Sequence, residues 1–180
     1  MQNLYREVTS LDRRCSETFC LSEEVMMEHA AAAIAQIVRE RFPKRHRVFI
    51  LCGSGNNGAD GLAVARLLAG DYEANVYLPF GAASPLCHVQ RERIEKMGLK
   101  NTPPQGDYDI IIDALFGSGL SRAMGPTAIE ALDSANVMQG FKIACDVPSG
   151  LSPDGTLDRS TFRADLTVTM ALPMEPRNTG

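Results

Sequence analysis

Short, nearly continuous apolar runs alternate with helical segments from residue 47 onward, and this alternation restricts the fold more than any other feature of the chain. Runs 47–52 (RVFILC), 74–79 (ANVYLP), 108–113 (YDIIID), 141–146 (FKIACD) and 165–170 (DLTVTM) have the length and apolar continuity of buried strands. A helix is expected over about 59–70. Another opens at Pro85, runs to about Met97 and stops at Gly98; a third starts at Pro126 and continues through Leu132. An earlier helix spans 22–41. Ser22 suits its start, Glu23 and Glu24 suit its positive end, and Val25, Met26, Ala30, Ala33, Ile34, Ile37 and Val38 form its apolar stripe. A looser helix is expected around 3–18. Strands apolar on both faces that alternate with helices imply a parallel sheet covered on both sides. Right-handed crossovers then give an α/β, three-layer αβα sandwich with a Rossmann-like, mostly parallel sheet. At 180 residues one domain, 1–180, is expected, with the tail PMEPRNTG reading as a frayed or truncated end.

The balance of 44% apolar and 22% charged residues is that of a soluble globular protein. A net charge of -4 argues against nucleic-acid and membrane partners, and the basic group Lys44-Arg45-His46-Arg47 is too short to reverse that. No run reaches the roughly 18 apolar residues of a membrane span. The charged N-terminus lacks a signal peptide's apolar region, which predicts a cytoplasmic protein. Cys15, Cys20, Cys52, Cys87 and Cys145 are odd in number and irregular in spacing; Cys52 and Cys145 sit in strand-like runs and read as small core residues.

The chemistry concentrates in three polar loops at the carboxyl ends of expected strands, where ligands of such sheets bind. Residues 51–62 read LCGSGNNGADGL, with Gly53, Gly55, Gly58 and Gly61 within nine positions and Asn56, Asn57 and Asp60 among them. A strand, a Gly-rich turn and a helix start together aim backbone N–H groups at an anion. The Asn pair and Asp60 add oxygens suited to a hydroxyl-bearing ligand or a hard cation. The second loop follows Asp113 (ALFGSGLSRAMGP, 114–126) and the third follows Asp146 (VPSG, 147–150). A strand-end Asp often only caps a turn. Two of them, each before a Gly-rich loop and on parallel strands free to lie side by side, favour a functional role for at least one, as an acid/base pair or as a cation ligand beside Asn57 and Ser149. Gly53-x-Gly55-x-x-Gly58 matches a dinucleotide fingerprint, with Glu73 placed for a ribose, but Asp60 would repel a pyrophosphate laid on that helix start. This argues against a standard NAD dehydrogenase. His29, His46 and His88 have no zinc-site spacing, and Ser149 lacks a nucleophile elbow.

The ordered segments LDRR, MMEHAAAAIA, GSGNNGADGLAVAR, DALFGSGLSR, DVPSGLSPDG and ADLTVTM resemble the NAD(P)H-hydrate epimerase family, the YjeF N-terminal domain, from about residue 8 to 170. The resemblance implies a Rossmann-like domain that commonly dimerises. It implies interconversion of the R and S forms of hydrated NADH and NADPH (NADHX and NADPHX), a bound potassium ion, and a partner dehydratase or a lost fused one. Carried over by position, Asn56, Asn57, Gly58, Ala59 and Asp60 fall on the family's Asn-Asn-Gly-Gly-Asp motif. Asn57, Asp113 and Ser149 fall on its potassium ligands. Gly117, Ser118, Gly119, Leu120, Ser121, Arg122 and Ala123 fall on its nucleotide loop, and Asp146 on its substrate-contacting acid. Ala59 replaces the family's second glycine, and His29 and Ala31 replace the usual Asn and Gly. If position 59 needs a positive φ, alanine there costs about 1 kcal/mol.

The substrate so implied carries a hydroxyl on a carbon bonded to the ring nitrogen. Inverting that centre needs loss and return of the hydroxyl, or ring opening and reclosure. The expectation is Asp146 as the proton carrier, with Asp113 as second choice and Arg122 toward the phosphates. The rival expectation is a non-catalytic nucleotide-binding scaffold of the same fold, which loss of the site acids would mark.

Overall fold

The computed structural model describes residues 15–120, 123–152 and 154–169. Residues 15–19 are helical, so this much of the expected 3–18 helix is seen and the rest lies outside the described residues. Helix α1 (Glu23–Arg41) begins where the Ser22 hydroxyl accepts the N–H of Val25, with Glu23 and Glu24 in its first turn. Then follow β1 (Arg47–Cys52), α2 (Asn56–Leu68), β2 (Glu73–Tyr77), α3 (Pro85–Lys96), β3 (Ile110–Ala114), α4 (Pro126–Val137), β4 (Phe141–Cys145) and β5 (Leu166–Val168).

All four strand pairings are parallel, in the order β2-β1-β3-β4-β5. The expected α/β sandwich with a Rossmann-like parallel sheet is what forms. Strand parity divides the core into two layers. Val48, Ile50, Cys52, Ile110, Ile112, Ala114, Ile143 and Cys145 face α1, α2 and α3. Phe49, Leu51, Ile111 and Ala144 face α4 and Phe162. Each fully buried Ile or Leu in these layers contributes about 1.5–3 kcal/mol of transfer free energy. Cys52 and Cys145 are buried core residues, and burial pushes both thiols well up. Among the described residues no helix is long and apolar enough to cross a membrane.

Two boundaries differ from expectation in ways that matter. Helix α2 starts at Asn56 rather than near 59, so the Asn pair, Gly58, Ala59 and Asp60 are helical residues and not loop residues. Its N-cap, Gly55, is extended and offers no side chain, so the first-turn N–H groups have no side-chain cap. Helix α4 runs to Val137, five residues past Leu132; Ala135 is buried, which extends the apolar face beyond the expected stop.

Candidate functional site

The sheet order reverses between β1 and β3, and the crevice beyond their carboxyl ends is where ligands of doubly wound sheets bind. The Gly-rich turn closes onto this point through unusually tight packing. A Cβ on Gly58 would lie 1.8 Å from the Gly53 carbonyl oxygen, and one on Gly53 would lie 1.9 Å from that of Leu115. Only glycine lets α2 start this close to β1 and to the segment after β3.

Asp113, the penultimate residue of β3, is fully buried. Its Oδ1 accepts the Leu115 N–H (3.1 Å) and the Ser149 hydroxyl (2.7 Å), and its Oδ2 accepts the Ser149 N–H (2.8 Å). Burial raises its pKa to about 6, against those three hydrogen bonds, which favour the ionised form. The Ser149 hydroxyl in turn accepts the Phe116 N–H at 2.8 Å and lies 3.2 Å from the Phe116 carbonyl oxygen. Asp113 thus ties the end of β3 to the segment after β4.

Asp146, one residue past β4, has φ +68°. Its N–H donates to Val168 in β5 at 2.8 Å, and its Oδ2 accepts the Ser118 N–H at 2.7 Å. The left-handed backbone turns the carboxylate back over the sheet edge to the segment after β3, and Asp is among the residues that tolerate that conformation. Gly117 fills the gap between this acid and α2: a Cβ there would sit 2.7 Å from Asp146 Oδ2 and 3.4 Å from Asn57 Cγ. Both side-chain polar atoms of Asn57 are buried and without a protein partner. Asp60, one turn further along α2, has its pKa raised to about 7, by burial first and then by the charge of Asp146.

Asn57, Asp60, Asp113, Gly117, Ser118, Asp146 and Ser149 are therefore brought together. Gly58 and Ala59 are buried in the body of α2, where Ala59 packs in the core and needs no positive φ. The left-handed residue of the site is Asp146, which the sequence reading did not foresee. Asn56 and Gly119 are exposed at the rim, with Leu120 beside them. Ala123 is exposed too, while Ser121 and Arg122 lie outside the described residues. Phe80 and Phe116 also stand here, with ring centroids 6.2 Å apart and planes at 26°; neither was singled out from sequence, since no spacing links them. Open hollows of about 420 Å³ around Tyr72, Met97 and Thr102, and of about 270 Å³ around Phe49 and Glu130, lie elsewhere and carry at most one charged side chain each. Convergent chemistry, not volume, locates the site.

Among the described residues no three His, Cys, Asp or Glu side chains are grouped to hold a metal ion. The potential ligands here are instead the Asn57 amide oxygen, the Asp113 carboxylate, the Ser149 hydroxyl and the Phe116 carbonyl. An all-oxygen set with one carboxylate and an orphaned buried amide fits a hard cation of low charge.

Fold and site together define a doubly wound α/β domain with an acid-lined crevice at its switch point. The chain belongs to the family described as YjeF-related protein N-terminus, which matches residues 23–175. It is 38% identical over 177 residues to the bifunctional NAD(P)H-hydrate repair enzyme Nnr of Helicobacter pylori, covering 94% of this chain and 38% of that protein. It is 31% identical to the NAD(P)H-hydrate epimerase of Rhodopirellula baltica, covering 93% and 73%, and 35% identical to that of Leuconostoc mesenteroides, covering 91% and 76%. The chain spans just over a third of the length of the bifunctional relatives. The crystal structure of a yeast protein shares the fold with a TM-score of 0.80 at 22% identity, over 95% of this chain and 81% of that one.

Proposed function

We propose that this domain interconverts the R and S forms of hydrated NADH and NADPH, with Asp146 as the proton carrier. The observation that carries the reading is the placement of Asp146 against Gly117 and Asn57, close enough to Asp60 for its charge to raise that pKa, in a protein whose relatives are named for hydrate repair. Asp113 is held by three hydrogen bonds, whereas Asp146 accepts one, on Oδ2, leaving Oδ1 without a protein partner among the described residues. A carboxyl at that position can donate a proton to the departing hydroxyl, which leaves as water. The carboxylate then takes the proton back as water adds to the opposite face of the ring. Asp60, whose pKa burial and the neighbouring Asp146 raise to about 7, provides a second carboxyl beside it.

Asn57, Asp113 and Ser149, with the Phe116 carbonyl, are the residues that would hold potassium, and the bound ion would supply a fixed positive charge beside the substrate. Loop 117–123 would receive the phosphates. A separate or fused S-specific dehydratase would consume the product. The same reading places the protein in the cytoplasm as a homodimer.

The test is a coupled assay. The R hydrate is supplied with an S-specific dehydratase and ATP or ADP, and NADH absorbance is followed with and without this protein, in potassium and in sodium. Regeneration that requires the protein and is faster in potassium is expected; a rate equal to the uncatalysed epimerisation refutes the reading.

A further inference from the structure

Phe80 lies past the end of β2 and 42% of it is open to solvent, although its ring stacks on Phe116. The backbone that carries each ring is anchored. The segment carrying Phe80 is tied to the Gly-rich turn, where the N–H groups of Ala83 and Ser84 donate to the Ser54 carbonyl at 2.8 and 3.0 Å. Phe116 is fixed by its N–H to the Ser149 hydroxyl. Beside the pair the surface is bare: a Cβ added to Gly55, the N-cap of α2, would meet nothing within 4 Å, and Asn56 is exposed. A stacked aromatic pair on an anchored backbone, at the rim of an open helix start, is the arrangement that receives a flat heteroaromatic ring.

Its place along the sheet edge decides which ring. Asp146 follows β4, and Phe80 follows β2, three interstrand steps away in the order β2-β1-β3-β4. At about 4.8 Å per step this is about 14 Å. Two ribosides joined by a diphosphate span such a separation when extended, with the diphosphate passing over the exposed Gly55 and Asn56 on the open side of the turn. With the nicotinamide at Asp146, the purine reaches the aromatic pair.

We infer that Phe80, backed by Phe116, is the stacking platform for the adenine base of a dinucleotide whose other ring lies at Asp146. This deepens the function proposed above and rests on it for the identity of the dinucleotide. The chain contains no tryptophan, so Phe80→Trp installs a single indole reporter that keeps a stacking face. Selective excitation of that indole is followed while ADP-ribose or nicotinamide mononucleotide is added to the folded variant, with thermal melting as the check on folding. Saturable quenching by ADP-ribose, with nicotinamide mononucleotide needing a far higher concentration, is expected. ADP-ribose without effect, or nicotinamide mononucleotide quenching as well as ADP-ribose does, overturns the inference. In the otherwise native chain, Phe80→Ala should weaken ADP-ribose binding by calorimetry about 5- to 100-fold, and Phe80→Tyr should restore most of it; equal affinity in the Ala variant also overturns it. The two readings fail separately. Quenching by ADP-ribose in a protein without epimerase turnover keeps the platform and ends the epimerase reading, whereas turnover without quenching does the reverse.

Discussion

At the residue scale the site acids separate by what surrounds each carboxyl. Asp146→Asn keeps an oxygen that can accept the Ser118 N–H, so fold and nucleotide affinity should persist while proton transfer is lost. Turnover in the coupled assay should fall by at least about 100-fold, with binding by calorimetry near the parent value; near-parent turnover would remove Asp146 as the proton carrier. Asp60 gives a second expectation, through stability. Its folded-state pKa of about 7 lies above the ordinary carboxylate value of 3.8, so the folded state holds the proton more tightly than the unfolded chain. That contribution is fully present below about pH 4 and is lost as pH rises through about 7. Asp60→Asn removes the charge that disfavours the folded state at high pH. It should raise stability by about 1–3 kcal/mol at pH 8 and by much less at pH 5, read by denaturant unfolding at both values. A gain that does not depend on pH would show that burial of the charge is not the cause. Asp146 was legible from sequence as a strand-end acid and Asp60 as the acid of the Gly-rich segment. The φ of +68° at Asp146 was not, because it is set by the N–H to Val168 and the carboxylate contact to Ser118, from segments distant in the chain.

At the element scale the decisive contact is α2 against the sheet. A Cβ on Gly61 would come within 2.6 Å of the Ala114 Cβ and 2.8 Å of the Cys52 Sγ, so the helix lies on β1 and β3 with no spare room. Gly61→Ala must lift α2 or displace those strands, a strain of about 1–3 kcal/mol. It should also weaken turnover, because Asn57 and Asp60 travel with the helix. Adding Ala114→Gly removes the closer of the two clashes, so the double variant should recover part of the lost melting temperature. No recovery would mean that the 2.6 Å contact does not set the cost. The strands read cleanly from sequence because both faces are buried and the apolar runs are unbroken. The start of α2 did not: three glycines within its approach look like loop, and only the tertiary packing that excludes a Cβ at 53 and 58 makes Asn56 helical.

At the scale of the whole molecule, sequence gave the layers but not their order. Strand alternation implies a parallel sheet whatever the neighbours, whereas placing β1 between β2 and β3 depends on how three helices share one face. Those helices are joined by a polar clasp that no local pattern announces. Glu28 of α1 contacts Arg66 of α2 through one oxygen; the other meets Gln90 Nε2 and Arg93 Nη1 of α3, each at 3.2 Å. Arg66 Nε also donates to Gln90 Oε1 at 3.3 Å, and Glu24 accepts Arg93 Nη2 at 2.6 Å. Gln90 is fully buried, so its amide depends on these partners. Truncating Glu28 leaves that amide short of an acceptor and Arg66 without its carboxylate, a loss of about 1–3 kcal/mol. Glu24 is closer to an ordinary surface pair, worth at most about 1 kcal/mol. Glu28→Ala should therefore lower the melting temperature by about 4–10 °C and Glu24→Ala by less than about 4 °C. Lys44→Ala, at an exposed pair with Asp71 far from the clasp, should leave it almost unchanged. If Glu28→Ala and Lys44→Ala melt together, the three helices are held by their apolar faces alone, and the clasp contributes nothing to the alignment that brings α2 to the acids.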